Sequence, residues 1–444
     1  MPTSNCPGLL HIVPALDGGI CRIRLAGGML AAAHADALAD AVQLHARGPI
    51  EITNRANLQV RGVHAGHEAA FSTALIEAGL GPGGQCDLSL QTAAALDTVR
   101  NLMISPVAGR DPDALIDTRA VAEAILAMLV AEPRFARLSP KFALMLDGGE
   151  RLAMLEHPHD IWLSAVPADR PGDDAQDAVQ FAFGLAGCPV MPPSGAVRPS
   201  QAPALVRALL HAFLDLAGPG QQRMRDLLAS RSVEQLLRRA RAHIDFAPAP
   251  APRRHRAPAD PMLRFGPHRQ RDAGRWWIGA QPPLGRFDTS TLRELAQLAR
   301  RVSAGATLHM TPWQGVLLPD VTNQNIDHAV ATLGRLGFAC TGDEPLARVI
   351  ACAGSTGCAR ALADTKPDAL ALSQRLGDSR EVHLSGCPRS CAAAHRAAHT
   401  LLAVAPGTYD LYERDGSAGF GSCVARHVSI EQAAGKIAGQ PGVP

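Results

Sequence analysis

The sequence has almost no net charge and no long apolar run. Its 444 residues carry 43 Lys and Arg against 41 Asp and Glu, for a formal net charge of +2. This balance argues against a strong polyanion-binding role, so we expect no nucleic-acid partner. No apolar run reaches membrane-spanning length, and the chain does not open on a charged stretch followed by an apolar one. We therefore expect no membrane partner and a location in the reducing cytoplasm.

Most of the cysteines give no disulfide framework, because they are scattered singly: Cys6, Cys21, Cys86, Cys188, Cys340 and Cys423. The other four form two close pairs, Cys352/Cys358 and Cys387/Cys391, with spacings C-x5-C and C-x3-C. Gly, Ser and Pro around each pair let the backbone curl and bring thiolates and amides to one point. Four thiolates are the usual ligands of a [4Fe-4S] cluster. Zinc, whose pairs more often run from C-x2-C to C-x4-C, and buried structural cysteines are the alternatives.

The chain repeats one plan. Residues 20–80 and 275–340 each predict a strand, a helix, two strands and a helix, the outline of a ferredoxin-like half-domain. Each copy precedes the pattern A-L-x-D-T-[KR], at 114–119 and 361–366, which leads into an alanine-rich helix. We predict a duplicated protein.

Two matched positions support the repeat, and a linker separates its copies. Gly79 and Gly337 both end a helix, where the left-handed cap favours Gly. Residues 246–261 alternate Ala and Pro and predict an extended linker. We interpret the arginines of that linker, from Arg253 to Arg256, as a solvated tether.

The stretch TNRANLQVRG carries the polar chemistry of the first copy. Arg55, Asn57, Gln59 and Arg61 alternate with apolar residues, so an extended strand places all four on one face. An ordinary solvent-facing strand is the simplest interpretation. Two arginines and two amides also form a surface that can hold several carboxylates.

Further cationic and polar side chains follow at Arg100, Asn101 and Lys141. Each of these alone is more often a surface residue than a ligand. Together with the strand they are the candidates for binding an anionic substrate.

The repeated units, TNRANLQVRG, the R-N pair, PKF and C-x5-C…C-x3-C, in this order, resemble the sulfite/nitrite reductase superfamily over nearly the whole chain. The resemblance implies an α+β, pseudo-twofold architecture of two ferredoxin-like half-domains and two larger α/β units. The predicted boundaries are 1–82 and 83–245 for the first pair, 246–261 for the linker, and 262–342 and 343–444 for the second pair.

The resemblance also implies roles for the marked residues. The four cysteines would hold a [4Fe-4S] cluster, and in the family the last of them bridges to the iron of sirohaem. Arg55, Arg100 and Lys141 match the family's catalytic cations, which bind the substrate anion or the sirohaem. Arg55, Asn57, Gln59, Arg61, Arg100, Asn101 and Lys141 are the expected substrate-binding set.

One family position differs. Where the reductases have K-F-K, this chain has Lys141-Phe142-Ala143. Reduction of an oxyanion needs dense positive charge and proton delivery, so the loss of a lysine disfavours it. The adjoining sequence, from Leu144 to Leu146, offers no replacement cation, and we interpret this apolar run as suited to the face of a ring system.

The departure and the short chain resemble the precorrin-3B synthase branch of the superfamily. The resemblance implies hydroxylation of precorrin-3A at C-20 with γ-lactone formation, using O2 and an external electron donor, NADH-linked or ferredoxin-type. The branch's activity is also associated with a mononuclear non-haem iron, for which His383, His395 and His399 lie nearest the cysteines. The alternatives are a sirohaem-dependent sulfite or nitrite reductase and a non-catalytic electron-transfer or tetrapyrrole-handling protein.

Overall fold

The structure is a computed structural model that describes residues 6–81, 90–168, 178–253, 255–376, 380–395, 397–417 and 419–439. Cys86, one of the single cysteines, lies outside the described residues. Within the described ranges, no helix is both long and apolar enough to cross a membrane.

The first half of the chain contains a small unit followed by a larger one. The small unit holds β1 (Val13–Ala15), β2 (Gly18–Ile23), β3 (Met29–Ala31), α1 (Ala32–His45), β4 (Ile50–Ile52), β5 (Leu58–Val63) and α2 (Glu68–Glu77). The larger unit holds α3 (Leu90–Val99), β6 (Leu102–Ile104), α4 (Arg119–Ala131), β7 (Leu144–Asp147), β8 (His159–Pro167), β9 (Val179–Gly187), β10 (Gly195–Val197), α5 (Ala202–Leu216), α6 (Met224–Leu228) and α7 (Val233–Ala240).

The second half repeats this order. Its small unit holds β11 (Gly266–Arg269), β12 (Arg275–Ala280), β13 (Arg286–Phe287), α8 (Thr289–Val302), β14 (Thr307–Met310), β15 (Val316–Thr322) and α9 (Ile326–Arg335). Its larger unit holds β16 (Val349–Ala351), α10 (Gly354–Gly357), α11 (Thr365–Leu376), β17 (Val382–Ser385), β18 (His399–Ala405), β19 (Thr408–Glu413), β20 (Ser422–Val428) and α12 (Ile430–Ala438). The predicted duplication is confirmed, and Gly79 and Gly337 adopt the expected left-handed conformation, with φ of 82° and 79°.

The two small units exchange a strand. Their sheets have the orders β1-β2-β5-β4-β13 and β11-β12-β15-β14-β3, so each sheet takes its last strand from the other copy. Phe287 pairs with Ile50 across one junction, and Leu30 pairs with Leu308 across the other. Side chains of both copies, including Leu38 of α1 and Leu295 of α8, are fully buried in one shared core. The half-domains therefore form a single packed body.

The two larger units have matching sheets. Their orders are β10-β9-β8-β7-β6 and β16-β17-β18-β19-β20, and three strands of each sheet run parallel. The carboxyl ends of neighbouring parallel strands lie at the same edge of a sheet. Cys352 directly follows β16 and Cys387 lies just after β17, so this topology brings the two cysteine loops together.

The linker differs from its prediction as a solvated tether. The Arg256 side chain is only 5% exposed, and its Nε and Nη2 donate to the two carboxylate oxygens of Asp147 at 2.6 and 3.0 Å. Asp147 is itself 1% exposed, and Glu150 beside it is fully buried. The carboxylates at the end of β7 need a cation, which the sequence pattern did not show because that cation arrives from 109 residues away.

We predict that Arg256→Ala lowers the free energy of unfolding by about 3–5 kcal/mol, because it leaves the Asp147 carboxylate buried without its cation. Urea denaturation followed by circular dichroism measures the change. Arg301→Ala, which removes an exposed arginine of α8, is the control and is expected to change stability by less than about 0.5 kcal/mol. Equal effects of the two substitutions would contradict the buried ion pair.

Candidate active site

The two cysteine loops are fastened to each other through backbone groups. The Cys352 amide donates to the Leu384 carbonyl at 3.2 Å, and the Gly386 amide donates to the Cys352 thiol at 3.2 Å. The Thr365 hydroxyl donates to the Cys352 carbonyl at 2.8 Å. An amide that points at a cysteine sulfur stabilises its thiolate form and tunes the potential of a bound cluster.

All four thiols of these loops are free, and Cys391 is the most exposed of them. Its partial removal from water raises its pKa, and the nearby charges of Cys387, Cys352 and Cys358 raise it further. The thiols of both loops therefore act electrostatically on Cys391. A bound cation would relieve the repulsion among four thiolates.

These residues fit a [4Fe-4S] cluster better than a single metal ion. Across the described ranges, no three His, Cys, Asp or Glu side chains are arranged to hold one ion. A cubane needs a different arrangement, since each of its irons takes its own thiolate. Four free thiols on two joined loops and an amide directed at one of them are compatible with that need. The cubane geometry at Cys352, Cys358, Cys387 and Cys391 stays a prediction.

The mononuclear iron has no support from the same search. His383 is buried on β17, and burial together with the charge of His395 lowers its pKa to about 3. His395 and His399 are also largely buried. The His395 side chain is 8% exposed, and His399 as a whole residue is 7% exposed. These histidines lie in the interior of the second larger unit, and although His395 lies 3.7 Å from Glu381, no group of three metal-ligating side chains forms around them in the described ranges.

The segment around Arg55 is a turn, so the prediction of one extended strand from Arg55 to Arg61 is wrong at its start. The Thr53 amide donates to the Asn57 carbonyl at 2.8 Å, and Ala56 has a φ of 56°. The Thr53 hydroxyl accepts the Asn57 amide at 3.2 Å. This local hydrogen bonding outweighs the alternating pattern, and β5 begins only at Leu58.

This turn contacts the cluster loops. The Asn54 side-chain amide donates to the Cys391 carbonyl at 3.2 Å. Arg61 donates to the Gly357 carbonyl at 2.6 Å, next to Cys358, while Asp17 binds its guanidinium at 2.7 and 2.8 Å. Arg61 therefore supports the cysteine loop in this structure. Its expected substrate contact stays a prediction.

The two amides of the expected set are also engaged. The Asn57 side-chain carbonyl accepts the Leu25 amide at 2.9 Å, and the residue is 6% exposed. Gln59 accepts from Arg22 at 3.0 Å and donates to Glu51 at 3.2 Å. Asn57 thus holds the backbone, and Gln59 orients Arg22. Their substrate contacts, too, stay predictions.

Arg55 lies in a group of cations. Burial, followed by the charge of Arg223, lowers its pKa to about 10, and Arg22 and Arg24 act in the same direction. No described residue accepts a hydrogen bond from its guanidinium, whose pKa still keeps it protonated at neutral pH. Arg55 is therefore available to bind an anion.

Arg100 joins this group through a shared carboxylate. Asp97, which is 1% exposed, accepts from Arg24 at 3.0 Å and from Arg100 at 3.1 Å. Asn101 then donates to the Phe142 carbonyl at 2.8 Å, which fixes the segment after Lys141. Lys141 is exposed, and its amide donates to Ser139.

Ala143 lies beside a cation that the adjoining sequence does not contain. The Ala143 amide donates to Asp160 at 2.8 Å, and the same carboxylate accepts the Arg223 Nε at 2.9 and 3.0 Å. The carboxylate also accepts the Met224 amide at 2.7 Å, at the start of α6. The adjoining sequence offers no cation, as expected, but the fold brings one to this region from elsewhere in the chain. A guanidinium from 80 residues further along the chain occupies this region.

The apolar run after Ala143 does not form a surface for a ring system. Leu144 and Leu146 are buried in the core of the first larger unit, and Met145 is buried in a second core that includes Trp162 and Trp277. The run is β7, a strand between two parallel neighbours. Strands covered on both sides are apolar throughout, which explains the pattern without a ligand.

Two neutral histidines complete the arrangement. His157 and His159 are 1% and 2% exposed, and neither His157 Nδ1 nor His159 Nε2 has a hydrogen-bond partner in the described ranges. Burial and, next, Arg55 lower the pKa of His159 to about 3. The imidazole is therefore uncharged near neutral pH and can only offer neutral hydrogen bonds there.

The arginine cluster is defined here as Arg22, Arg24, Arg55, Arg100 and Arg223, with Asp97 and Asp160 as its carboxylates. Sequence reasoning missed Arg22, Arg24 and Arg223. The first two had a detectable pattern, since they alternate in ICRIR at the end of β2. Arg223 had none, because only the fold brings it to Asp160.

Comparison with known proteins places the chain in a family. The Nitrite/Sulfite reductase ferredoxin-like half domain matches residues 14–78 and 268–336. The Nitrite and sulphite reductase 4Fe-4S domain matches residues 95–246. The chain belongs to the sulfite/nitrite reductase superfamily of oxidoreductases, and this membership supports an iron–sulfur cluster. The four cysteines lie outside the second match, in the other larger unit.

The chain is similar to proteins of two branches. A ferredoxin–nitrite reductase of Synechococcus elongatus is 29% identical over 84% of this chain and 73% of its own length. A precorrin-3B synthase of Sinorhizobium sp is 27% identical over 93% of this chain and 83% of its own length. The Mycobacterium tuberculosis NirA protein has the same fold, with a TM-score of 0.76 over 95% of this chain at 20% identity.

We predict that Cys358→Ser abolishes the broad absorption near 400 nm and leaves less than about a quarter of the four cluster irons, because a cubane needs all four thiolates. Iron analysis of anaerobically purified protein measures this. Cys188→Ser removes a buried single cysteine and should keep both properties. A full cluster in Cys358→Ser protein would exclude this ligand set.

Proposed function

We propose that the protein is a precorrin-3B synthase, which hydroxylates the tetrapyrrole precorrin-3A at C-20 and forms a γ-lactone. One observation carries the choice. At the position of the family's second lysine stands buried Ala143, and the cation beside it is an arginine tied to Asp160. The similarity to the Sinorhizobium precorrin-3B synthase extends over a larger share of both chains than the similarity to the Synechococcus nitrite reductase, which supports the same branch.

An alanine with an arginine beside it, in place of the family's lysine, changes what the site can do. An ammonium group can deliver a proton to a reacting oxyanion. A guanidinium keeps its proton at neutral pH and instead binds carboxylates through paired N–H groups. The site therefore favours holding a carboxylate-bearing molecule over the repeated protonation that nitrite or sulfite reduction requires.

The charge of the arginine cluster fits such a substrate. Of the five guanidinium groups, those of Arg24, Arg100 and Arg223 pair with the two carboxylates, so positive charge is in excess. Arg55 in particular has no protein acceptor among the described residues. The acetate and propionate groups of a reduced tetrapyrrole supply the missing negative charge. Arg55 and Arg223 would hold its carboxylates, and neutral His159 would face it without adding charge.

Contacts between the Arg55 turn and the cysteine loops support a substrate site close to the cluster. Asn54 and Arg61 fasten the Arg55 turn to the backbone at Cys391 and Gly357. A bound [4Fe-4S] cluster supplies electrons singly from an external donor, NADH-linked or ferredoxin-type. Overall, two electrons and two protons reduce one atom of O2 to water while the other atom enters the product. The free thiols are consistent with work in a reducing cytoplasm.

A sirohaem-dependent sulfite or nitrite reductase is the second candidate. The observation in its favour is that Arg55, Arg100 and Lys141 are all present, and the Synechococcus relative carries that activity in its name. Sirohaem bands with anion-dependent shifts in the visible spectrum would support it. A non-catalytic tetrapyrrole-handling protein would bind the macrocycle and convert nothing.

We predict that the reduced protein converts precorrin-3A to a product about 16 mass units heavier, corresponding to one inserted oxygen atom. With ¹⁸O2 the gain should be about 18 mass units, measured by mass spectrometry, because the oxygen comes from O2. Sulfite and nitrite should be reduced negligibly under the same conditions. Product formation without oxygen, or robust sulfite reduction, would favour the reductase.

We predict that Arg55→Ala weakens precorrin-3A binding by roughly ten- to a hundredfold, since a charge-assisted hydrogen bond contributes about 1.5–3 kcal/mol. Equilibrium titration measures the change, and the thermal unfolding midpoint checks the fold. Arg301→Ala removes an exposed arginine and is the matched control. Unchanged affinity in Arg55→Ala would remove the arginine cluster from the substrate site.

A further inference from the structure

A second site of the fold is a cavity, called here the second cavity, that has no residue of the arginine cluster in its lining. Its volume is about 340 Å³, and it lies where the first larger unit, the end of the linker and both units of the second half meet. The residues that matter for its chemistry are Glu156, Arg264, Trp313, Arg348, Glu381 and Arg414. The proposed function uses none of these side chains.

The turn that lines this cavity is the internal repeat of the Arg55 turn. The Thr311 amide donates to the Gly315 carbonyl at 2.9 Å, as Thr53 does to Asn57 at 2.8 Å. Gln314 has a φ of 64°, matching the 56° of Ala56. Trp313 therefore occupies, in the second copy, the position of Arg55.

Other walls of the cavity correspond in the same way. Ala280 pairs with Val316 as Ile23 pairs with Leu58, so Gln281 stands where the first copy has Arg24. Val349 pairs with Val382 as Leu102 pairs with Leu144. Ala347, two positions before Val349, accordingly corresponds to Arg100 of the first copy. Glu381, one position before Val382, corresponds to Ala143.

The second cavity thus repeats the frame of the arginine cluster with different chemistry. Trp313, Gln281 and Ala347 take the places of Arg55, Arg24 and Arg100. Glu381 takes the place of Ala143. A site that keeps the frame and loses the cations does not fit a polyanionic macrocycle. Its volume also lies at the lower end for ligand cavities, which suits a molecule of one or two rings.

One buried cation gives the cavity its charge preference. Arg264 is 9% exposed, its guanidinium lies 5.6 Å from the Trp313 ring and 4.6 Å from the Phe265 ring, and Nη1 donates to the Pro261 carbonyl at 2.9 Å. In the part of the chain that the structure describes, no carboxylate pairs with it, and its Nε has no acceptor. A buried charge without a counter-ion is costly, so an anion at this position is favoured.

The other charged side chains of the cavity bear on how many negative charges the ligand carries. Arg414 pairs with Glu156 at 3.0 and 3.1 Å, and Glu381 acts electrostatically on Arg264 without a hydrogen bond to it. Arg264 therefore offers one guanidinium, which matches one carboxylate. Apolar side chains, among them Met154 and Leu155, also line the cavity.

We propose that this cavity binds a flat aromatic monocarboxylate of one or two rings, with its carboxylate at Arg264 and its rings among Trp313, Met154 and Leu155. The site is separate from the arginine cluster and does not depend on the proposed function. It makes the second copy of the fold a binding site for a small molecule.

The test uses 2-naphthoate and the full-length protein in isothermal titration calorimetry. We expect binding at one site per chain, at least tenfold weaker in Arg264→Gln and at least fivefold weaker in Trp313→Leu. Arg55→Gln, at the corresponding position of the other copy, should change the affinity by less than twofold.

A second measurement needs no variant. The neutral isostere 2-naphthamide should bind the unmodified protein at least tenfold more weakly than 2-naphthoate, because it lacks the charge that Arg264 requires. Equal affinity for the two compounds, no detectable binding of 2-naphthoate at millimolar concentration, or loss of binding in Arg55→Gln would each overturn the proposal. If Arg264→Gln fails to fold, this comparison still decides.

Discussion

The exchange of β3 and β13 between the small units is the constraint on which the remaining structure depends. Each sheet is completed only by a strand from the other copy, and both copies contribute to one core. Because the small units are fixed to each other, the loops at their edges are fixed too. The Arg55 turn can therefore face the cysteine loops of the other half through Asn54 and Arg61.

Polarity is distributed unequally over this symmetric frame. The arginine cluster has its cations around Asp97 and Asp160. The corresponding position in the second copy, the second cavity, has Trp313 and Gln281 instead. Both sites use the same turn, with one non-glycine residue at positive φ. The frame thus provides position, and the side chains decide the chemistry, which is why a fold alone does not identify an activity.

The sequence predicted the features that depend on local pattern. The helices, the duplication, the left-handed glycines and the pairs of cysteines all follow from spacing within short segments, and the structure agrees on the elements. It did not predict contacts between distant segments. Arg256 with Asp147, and Arg223 with Asp160, join residues 109 and 63 positions apart, and no local periodicity encodes such pairs. The turn at Arg55 was misjudged for another reason, because the Thr53 hydroxyl caps the backbone where alternation predicted a strand.

The exchanged strands also bear on how such a chain could have arisen. Two identical small units that complete each other's sheets are what a strand-swapped homodimer becomes when its subunits are joined end to end. In a homodimer the two symmetry-related sites must be chemically identical, since one gene encodes both. Fusion removes that requirement, so that one site can lose its cations while the other keeps them. The difference between Arg55 and Trp313 is a change that only a single-chain descendant can make.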